Sequence, residues 1–296
     1  MPPSDDNLMN HENITEAERK VLNLEWLPLL TIQNVDKYFE GARTRSATAR
    51  GRLDCCLDIS YGDSPRQVQD VFPATAPRAP VFVFIHGGYW RAFEKDLFSE
   101  VVEPVIQSGG AAVALEYEIC PHVTIPDIVG QVRRSLIWTF NNIDTHNGDP
   151  QRIHVCGHSA GGQLAGMMMA TDWQTDHGLP ADLLKGAILI SGIFDIEPHR
   201  HTDLQDVIGL TPEIVAANSP QHLPLHFNGP VICALGGRES ASFKRQSKEF
   251  TQKCHDLGLE AQYLEMGSDN HLDVTNRLAE PDHPLTRAIL AQMELS

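Results

Sequence analysis

From residue 52 onward, short continuous apolar runs alternate with stretches of helical periodicity, and this alternation constrains the fold more than any other feature. A continuous apolar run is typical of a strand that is buried on both faces of a parallel sheet. The runs of this kind are VFVFIH (81–86), AAVALEY (111–117), RIHVCG (152–157), GAILISG (186–192) and PVICALG (230–236). Strands that alternate with helices over this length predict an α/β fold, with a mostly parallel sheet covered by helices on both faces.

Segments on either side of this alternation define the expected domain organisation. RLDCCLDIS and VQDVF alternate apolar and polar residues around a turn and predict an antiparallel hairpin at the start of the sheet. Before it, Thr15 and Glu18 have capping-box spacing, and residues 1–51 are expected to form an N-terminal helical arm that packs on the body. The remaining residues, 52–296, form the main domain, with a polar, cap-like insertion at about 193–230 that shapes a pocket.

The charge balance excludes several classes of partner. The 296 residues include 39 Asp and Glu against 23 Lys and Arg, a net charge of −16, and such a surface repels phosphate backbones and anionic lipid heads. We therefore expect no nucleic acid and no membrane partner. The N-terminus has early acidic residues and no apolar core of a signal peptide, and the 6 cysteines form no C-x-x-C pair. A cytoplasmic protein, either a monomer or a homodimer, is expected.

A candidate nucleophile lies in the pentapeptide GHSAG at 157–161, which fits G-x-S-x-G. The motif stands between the apolar strand RIHVC and the helical run QLAGMMMA, the context in which a nucleophilic serine occupies a sharp strand-to-helix turn. Small flanking residues are needed because larger side chains would collide with the neighbouring strand and helix. Ser159 is therefore the predicted nucleophile, close to the backbone N–H groups at the start of the helix.

A second glycine-containing turn, HGGYW at 86–90, ends another buried strand upstream of the serine. H-G-G after a strand is typical of an oxyanion-hole loop, because glycines let backbone N–H groups approach a carbonyl oxygen closely. His86 itself is expected to be a structural residue beneath this loop and not a base.

The acid and the base should follow the serine, in that order and after strands. Glu239 follows the strand PVICALG, and His271 follows the predicted strand AQYLEM. Glutamate can replace aspartate here, since its role is to orient the imidazole and stabilise its cation. Asp195 and Glu197 also follow a strand, and Asp195 stays open as the main alternative acid. Asp269 lies two residues before the histidine. His283 is flanked by prolines and is the less favoured base.

The histidines of the insertion are candidate metal ligands. His199 and His201 form an H-x-H pair in the insertion, with His222 and His226 nearby, but no cysteine or carboxylate spacing completes a zinc set. No G-x-G-x-x-G follows the first strand, and no phosphate-loop pattern occurs. We expect neither a metal nor a nucleotide cofactor.

A resemblance to a known family is carried by HGGYW at 86–90, GHSAGGQLAGMM with TDW at 171–173, and ES-x-x-F-x-x-Q-S-x-x-F across 239–250. These segments resemble the kynurenine formamidase (arylformamidase) branch of the α/β-hydrolase superfamily, near the hormone-sensitive-lipase-like esterases, which have H-G-G-G where this chain has H-G-G-Y. The resemblance covers roughly residues 52 to 295, and the N-terminal arm also suits that family. It implies an α/β-hydrolase fold and a serine hydrolase that cleaves N-formyl-kynurenine to formate and kynurenine.

The resemblance also implies roles for individual residues. It makes Ser159 the nucleophile, Glu239 the acid and His271 the base. The residues that it implies for the oxyanion hole are Gly87, Gly88 and Ala160. The chain departs from the family in having glutamate where aspartate is usual at position 239, and GGRES lacks the proline that often follows the family's Asp-Ser.

The expected substrate is an aryl formamide, or a related aryl amide, that reacts through an acyl-enzyme intermediate. Four aromatic residues near the motifs are expected to pack against the substrate: Tyr89, Trp90, Trp173 and Phe194. Core packing is an alternative for Trp90 and Trp173. A carboxylesterase, or a hydrolase of another aryl amide, carbamate or ester, is the alternative function. A non-catalytic, ligand-binding α/β-hydrolase fold is a remote alternative, because all three candidate catalytic residues occur in order.

Overall fold

A computed structural model describes residues 14–295, which contain a central eight-stranded sheet. The strands are β1 (Cys56–Ser60), β2 (Val68–Phe72), β3 (Ala79–Ile85), β4 (Ala111–Leu115), β5 (Gly148–His158), β6 (Leu184–Ile190), β7 (Val231–Gly236) and β8 (Ala261–Met266). The helices are α1 (Glu16–Trp26), α2 (Val35–Arg52), α3 (Glu103–Gln107), α4 (Ile125–Asn142), α5 (Ala160–Met169), α6 (Trp173–His177), α7 (Gln205–Ile208), α8 (Pro212–Asn218), α9 (Ala241–Asp256), α10 (Asp273–Asn276) and α11 (Pro284–Gln292).

The sheet has the strand order β1-β2-β4-β3-β5-β6-β7-β8. β1 and β2 form the predicted antiparallel hairpin, and β2 also pairs antiparallel with β4. All the other neighbours are parallel, so the carboxyl ends of β3, β5, β7 and β8 lie along one edge. This confirms the α/β fold that the alternation of strands and helices predicts.

The continuous apolar runs are explained by burial on both faces of the sheet. Every residue of β3 is buried. Val81, Val83 and Ile85 belong to one hydrophobic cluster, while Phe82 and Phe84 belong to a second cluster on the opposite face. Because successive side chains of a strand point to opposite faces, a strand between two helical layers must be apolar at every position.

One predicted helix has a different form. The sequence from residue 95 onward predicts a single helix that Gly109 and Gly110 end, but the structure has a 3-10 helix at Lys95–Val102 and then the short α3. Pro104 lies in the first turn of α3, where the missing N–H costs nothing. A new helix therefore starts there, in place of a continuation of the first.

The N-terminal helices pack on the body next to the carboxyl edge of the sheet. α1 begins with the predicted capping box, in which Thr15 Oγ1 accepts from the Glu18 N–H at 3.2 Å and Glu18 Oε2 accepts from the Thr15 N–H at 2.7 Å. On α2, Arg45 forms a two-pronged ion pair with the buried Glu100. The N-terminal residues on which the signal-peptide prediction rests lie partly outside the described residues.

The segment at 193–230 contains a 3-10 helix at Glu197–His201 and the short helices α7 and α8. Within residues 14–295, no helix is both long and apolar enough to cross a bilayer.

Candidate active site

Ser159 occupies a strained turn between β5 and α5, with φ 57° and ψ −120°. A Cβ atom added to Gly157 would lie 1.9 Å from the carbonyl oxygen of Gly161, and one added to Gly161 would lie 2.1 Å from the carbonyl oxygen of Ile85. The backbone can close this tightly only where side chains are absent. The G-x-S-x-G spacing is thus a steric requirement of the turn that presents the serine.

Glu239 and His271 form a buried pair at the ends of β7 and β8. His271 Nδ1 donates to Glu239 Oε2 at 2.7 Å, and the two side chains are 5% and 1% exposed. The other carboxylate oxygen accepts from Ser191 Oγ at 2.5 Å and from the Gly236 N–H at 2.7 Å. Three donors therefore hold the carboxylate in place against Nδ1, which leaves Nε2 of the imidazole to act as a base.

The alternative acids and base lie in other contacts. Asp195 Oδ2 is 3.3 Å from His222 Nε2, and Asp269 accepts two hydrogen bonds from Arg277, at 2.7 and 2.9 Å. His283 accepts from a backbone N–H at the start of α11. The geometry favours Glu239 as the partner of the candidate base.

His158 is a contributor to the site that the sequence analysis did not single out. Its Nε2 donates to the carbonyl oxygen of His271 at 2.9 Å, and the two rings are 4.6 Å apart. Burial lowers the pKa of His158 well below its usual value, with a smaller contribution from the neighbouring His271 ring, so the ring of His158 is a neutral donor. His158 thereby fixes the backbone that carries the base. The sequence signal that could have identified His158 is its position immediately before Ser159 in G-x-S-x-G.

The glycine loop after β3 packs directly against the serine. A Cβ atom on Gly87 would lie 2.9 Å from the His158 carbonyl oxygen and 3.0 Å from Ser159 Cβ. Gly88 has φ 109°, and a Cβ there would lie 2.2 Å from the Ala92 carbonyl oxygen. Both positions require glycine, which brings the main chain of the loop against the nucleophile.

Beneath the loop, His86 has the structural surroundings that the sequence predicts for it. Its ring stacks on Tyr117 at 4.2 Å, and its Nε2 lies 3.4 Å from Glu116 Oε1. Glu116 also accepts from Arg66 Nη2 at 2.5 Å and from the Lys95 N–H at 2.9 Å. Burial raises the pKa of Glu116, but His86, Arg66 and the Lys95 N–H outweigh it, so that the pKa is lowered. A charged carboxylate therefore anchors the base of the loop.

The serine, the base and the glycine loop all face one pocket, with about 610 Å³ of unfilled space that includes its open mouth. Apolar and aromatic side chains form most of its wall, among them Leu29, Tyr38, Phe39, Phe93, Leu97, Phe98 and Val101. The wall thus comes from α2 and its preceding turn and from the segment after β3. No residue between 193 and 230 lines the pocket. The insertion is expected to shape the pocket, but the N-terminal arm and the segment after β3 form its wall instead.

Of the aromatic residues predicted to contact substrate, Tyr89 lines the pocket. Trp90, Trp173 and Phe194 do not, and each is at most 1% exposed within the core. Trp90 Nε1 donates to Gln163 Oε1 at 2.9 Å, and Phe194 stacks on a ring of α9. For Trp90 and Trp173 the structure therefore has the alternative, core packing, and for Phe194 the predicted substrate contact is wrong. Large rings close to a motif gain more from full burial than from an open pocket wall.

Within the described part of the chain, no group of three or more His, Cys, Asp or Glu residues could hold a metal ion. His199 is fully buried among aromatic rings, while His222 pairs with Asp195 and His226 lies 3.6 Å from Asp172.

Comparison with known proteins identifies the class to which this fold and site belong. The sequence model of the family described as BD-FAE matches residues 70–197. A solved esterase from Pyrobaculum calidifontis superposes with a TM-score of 0.70 at 16% identity, covering 95% of this chain and 98% of that one. A structure from Silicibacter sp. TM1040, described as a candidate thioesterase, gives a TM-score of 0.76 at 25% identity over 87% and 94% of the two chains. The chain has the α/β-hydrolase fold and is a hydrolase of amide or ester bonds.

The relatives that match nearly the whole chain are more specific. The kynurenine formamidase of Danio rerio is 27% identical and covers 93% of this chain and 94% of its own length. That of Salmo salar is 28% identical, over 95% and 97% of the two chains. The similarity to the kynurenine formamidases, which three short segments indicate, is confirmed, and it is extensive enough to reach into the N-terminal arm.

Proposed function

We propose that this chain hydrolyses an aryl formamide of the N-formyl-kynurenine type, with Ser159 as the nucleophile. The observation that carries the proposal is the buried His271–Glu239 pair, whose histidine lines the same pocket as the strained serine and the glycine loop. Two full-length relatives named kynurenine formamidase support the substrate class. The aromatic wall, which includes Tyr38 and Phe39, suits a flat aryl group.

The reaction is an acyl transfer in two steps. His271 takes the proton of Ser159 as Oγ attacks the formyl carbon, and Glu239 stabilises the imidazolium that forms. Backbone N–H groups of Gly87, Gly88 and Ala160 hold the oxyanion. His271 then gives the proton to the leaving aryl amine, so that the C–N bond breaks and a formyl-serine remains. Water, deprotonated by His271, attacks this ester and releases formate.

Carboxylesterase activity is the second candidate function. Esterase LipC of Mycobacterium tuberculosis is 27% identical over 72% of this chain and 58% of its own length. The same nucleophile, base and oxyanion loop would cleave an ester, since an alcohol leaves at least as easily as an aryl amine. The two functions therefore differ in the leaving group and not in the catalytic residues.

A steady-state assay of the purified chain with N-formyl-kynurenine, run beside p-nitrophenyl acetate, tests the substrate. We expect a kcat/KM of about 10⁴ M⁻¹s⁻¹ or above for the formamide. A feeble formamide rate with good ester turnover would contradict the formamidase proposal and favour the carboxylesterase. Arg43→Gln changes an exposed arginine outside the pocket wall and serves as the control variant. Its kcat/KM for both substrates should match that of the wild type.

The proposed enzyme acts on a small aromatic amide or ester, in the cytoplasm, as a monomer or a homodimer. Its 6 cysteines are unpaired and four of them are buried, which suits a reducing compartment. Sedimentation of the purified chain would distinguish the two oligomeric states.

A further inference from the structure

A polar depression, here called the basin, opens beside the candidate catalytic residues. It is lined by residues 31–34, Lys37, Tyr38, Arg238 and Asn270. No carboxylate lines it, although the chain as a whole carries a net charge of −16. Within residues 14–295, neither Lys37 nor Arg238 has a side-chain ion pair or hydrogen bond, whereas arginines such as Arg45 are paired. Two free cations thus converge on one depression of an acidic protein.

The basin is connected to the catalytic residues through two loops. Arg238 immediately precedes Glu239, and Asn270 immediately precedes His271. The Arg238 N–H donates to the carbonyl oxygen of Asp269 at 2.9 Å, which ties the two loops together. The loops therefore direct one residue inward to the catalytic pair and its neighbour outward to the basin.

Open space continues from the basin toward the base. A passage that Glu239 and His271 line shares Thr31, Ile32, Arg238 and Asn270 with the basin. Glu25 also lines this passage, where its Oε2 accepts from the Ser242 N–H at 3.3 Å.

Tyr38 separates the basin from the main pocket. It lines both spaces, and its hydroxyl accepts a hydrogen bond from Asn270 Nδ2 at 2.9 Å. A ligand beside the Tyr38 ring can thus place an aryl group in the apolar pocket and a polar substituent in the basin. The basin lies on the His271 side, and His271 protonates the leaving group.

We propose that the basin binds a carboxylate on the leaving-group half of the substrate, through Arg238 and Lys37. This inference rests on the proposed function, since it assumes that His271 delivers its proton to an aryl leaving group. Arginine matches a carboxylate with two parallel N–H donors, while lysine adds a point charge. Both side chains are exposed, so we expect about a tenfold effect and not an absolute requirement. The substrate class becomes an aryl formamide whose side chain carries a carboxylate.

Competitive inhibition with a matched pair of ligands tests the proposal. We would measure the inhibition constants of 4-phenylbutyrate and 4-phenylbutanamide, which differ in charge and hardly in shape, against p-nitrophenyl acetate hydrolysis. The carboxylate should bind about tenfold more tightly than the amide in the wild type and in the control Arg43→Gln. In Arg238→Gln the preference should fall to about twofold, in Lys37→Gln it should fall partly, and in Arg238→Lys most of it should remain.

Two results would overturn the proposal: equal affinity of both ligands for the wild type, or a tenfold preference that survives in Arg238→Gln. High salt should weaken the wild-type preference, since both cations are exposed. Because the ester is the reporter, the inhibition result is independent of formamide turnover. Failure to cleave N-formyl-kynurenine would contradict the proposed function, whereas a missing charge preference would contradict the basin.

Discussion

The hydroxyl of Tyr89 donates a hydrogen bond to the main-chain carbonyl oxygen of Trp26, which joins the glycine loop to the end of α1. Both residues are buried, and the Trp26 ring also lies 5.7 Å from the Phe243 ring, which in turn contacts His271 at 5.0 Å. The N-terminal arm is therefore in contact with the glycine loop and, through one ring, with His271. The N-terminal arm, which the sequence predicts only to pack on the body, thus helps to hold the residues of the candidate site in place.

Tyr89→Phe should destabilise the chain, because it leaves a buried carbonyl without this donor. Burial holds the pKa of Tyr89 well above 10, so the hydroxyl is protonated and available throughout the working range. We expect the free energy of unfolding in urea to fall by about 1–3 kcal/mol. Tyr263→Phe is the matched control, since the Tyr263 hydroxyl donates to an exposed carboxylate, and it should change stability by under about 0.5 kcal/mol. Equal losses in both variants would argue against the link.

Gly161→Ala should prevent the turn at Ser159 from closing. The added Cβ would lie 2.1 Å from the Ile85 carbonyl oxygen. Neither the start of α5 nor the end of β3 can move away without disturbing the sheet. We expect a loss of at least about 2 kcal/mol in unfolding free energy, together with loss of activity. In Gly51→Ala, near the end of α2, the new methyl group meets nothing within 4 Å and should stabilise the helix by about 0.5–1 kcal/mol. A Gly161→Ala variant with normal stability and activity would contradict the steric argument.

Glu239→Gln should distinguish the two candidate acids. The amide would present either an N–H group or a neutral carbonyl to His271 Nδ1, so the imidazolium loses its stabilising charge. We expect kcat to fall at least about 10²-fold with little change in KM. Asp195→Asn, at the alternative acid, should leave kcat within about threefold after correction for the folded fraction. The reverse pattern would assign the acid to Asp195.

Stability should fall in acid because of buried neutral histidines. Burial lowers the pKa of His199 to about 3, only partly opposed by Asp195, while the unfolded chain titrates near 6.5. Between these values the unfolded state binds more protons, so stability decreases as the pH falls below about 6.5. His199→Phe should reduce the slope of unfolding free energy against pH, measured from pH 6.5 to 4, by about 1.4 kcal/mol per pH unit. An unchanged slope would contradict a buried, neutral His199.

Local sequence signals predict much of the fold and of the candidate site. The strand-to-helix context of Ser159 and the H-G-G turn are short-range patterns whose steric reasons lie within a few residues. Glu239 and His271 are predictable as well, because parallel strands bring their carboxyl ends to one edge. The same argument leaves Asp195 open, and the hydrogen bond from His271 Nδ1 to Glu239 Oε2 is what favours Glu239 as the acid.

The pocket wall could not be predicted in this way. Tyr38 and Phe39 reach the site because α2 packs across the end of the sheet, a long-range contact that leaves no local pattern. Trp90 and Phe194 show the opposite case. They lie next to motifs in the sequence, yet core neighbours cover each ring. A residue next to a motif has its backbone near the site, but its ring can face either the pocket or the core.

The central claim is that Ser159 is the nucleophile, and covalent labelling tests it most directly. The intact chain would be treated with a fluorophosphonate, and the modified peptide located by mass spectrometry while residual formamide and ester turnover are followed. We expect one adduct per chain, on Ser159, formed at the rate at which both activities disappear. We expect no adduct in Ser159→Ala, whose fold should be retained by circular dichroism. Labelling of another residue, or full turnover by a completely labelled chain, would contradict the account.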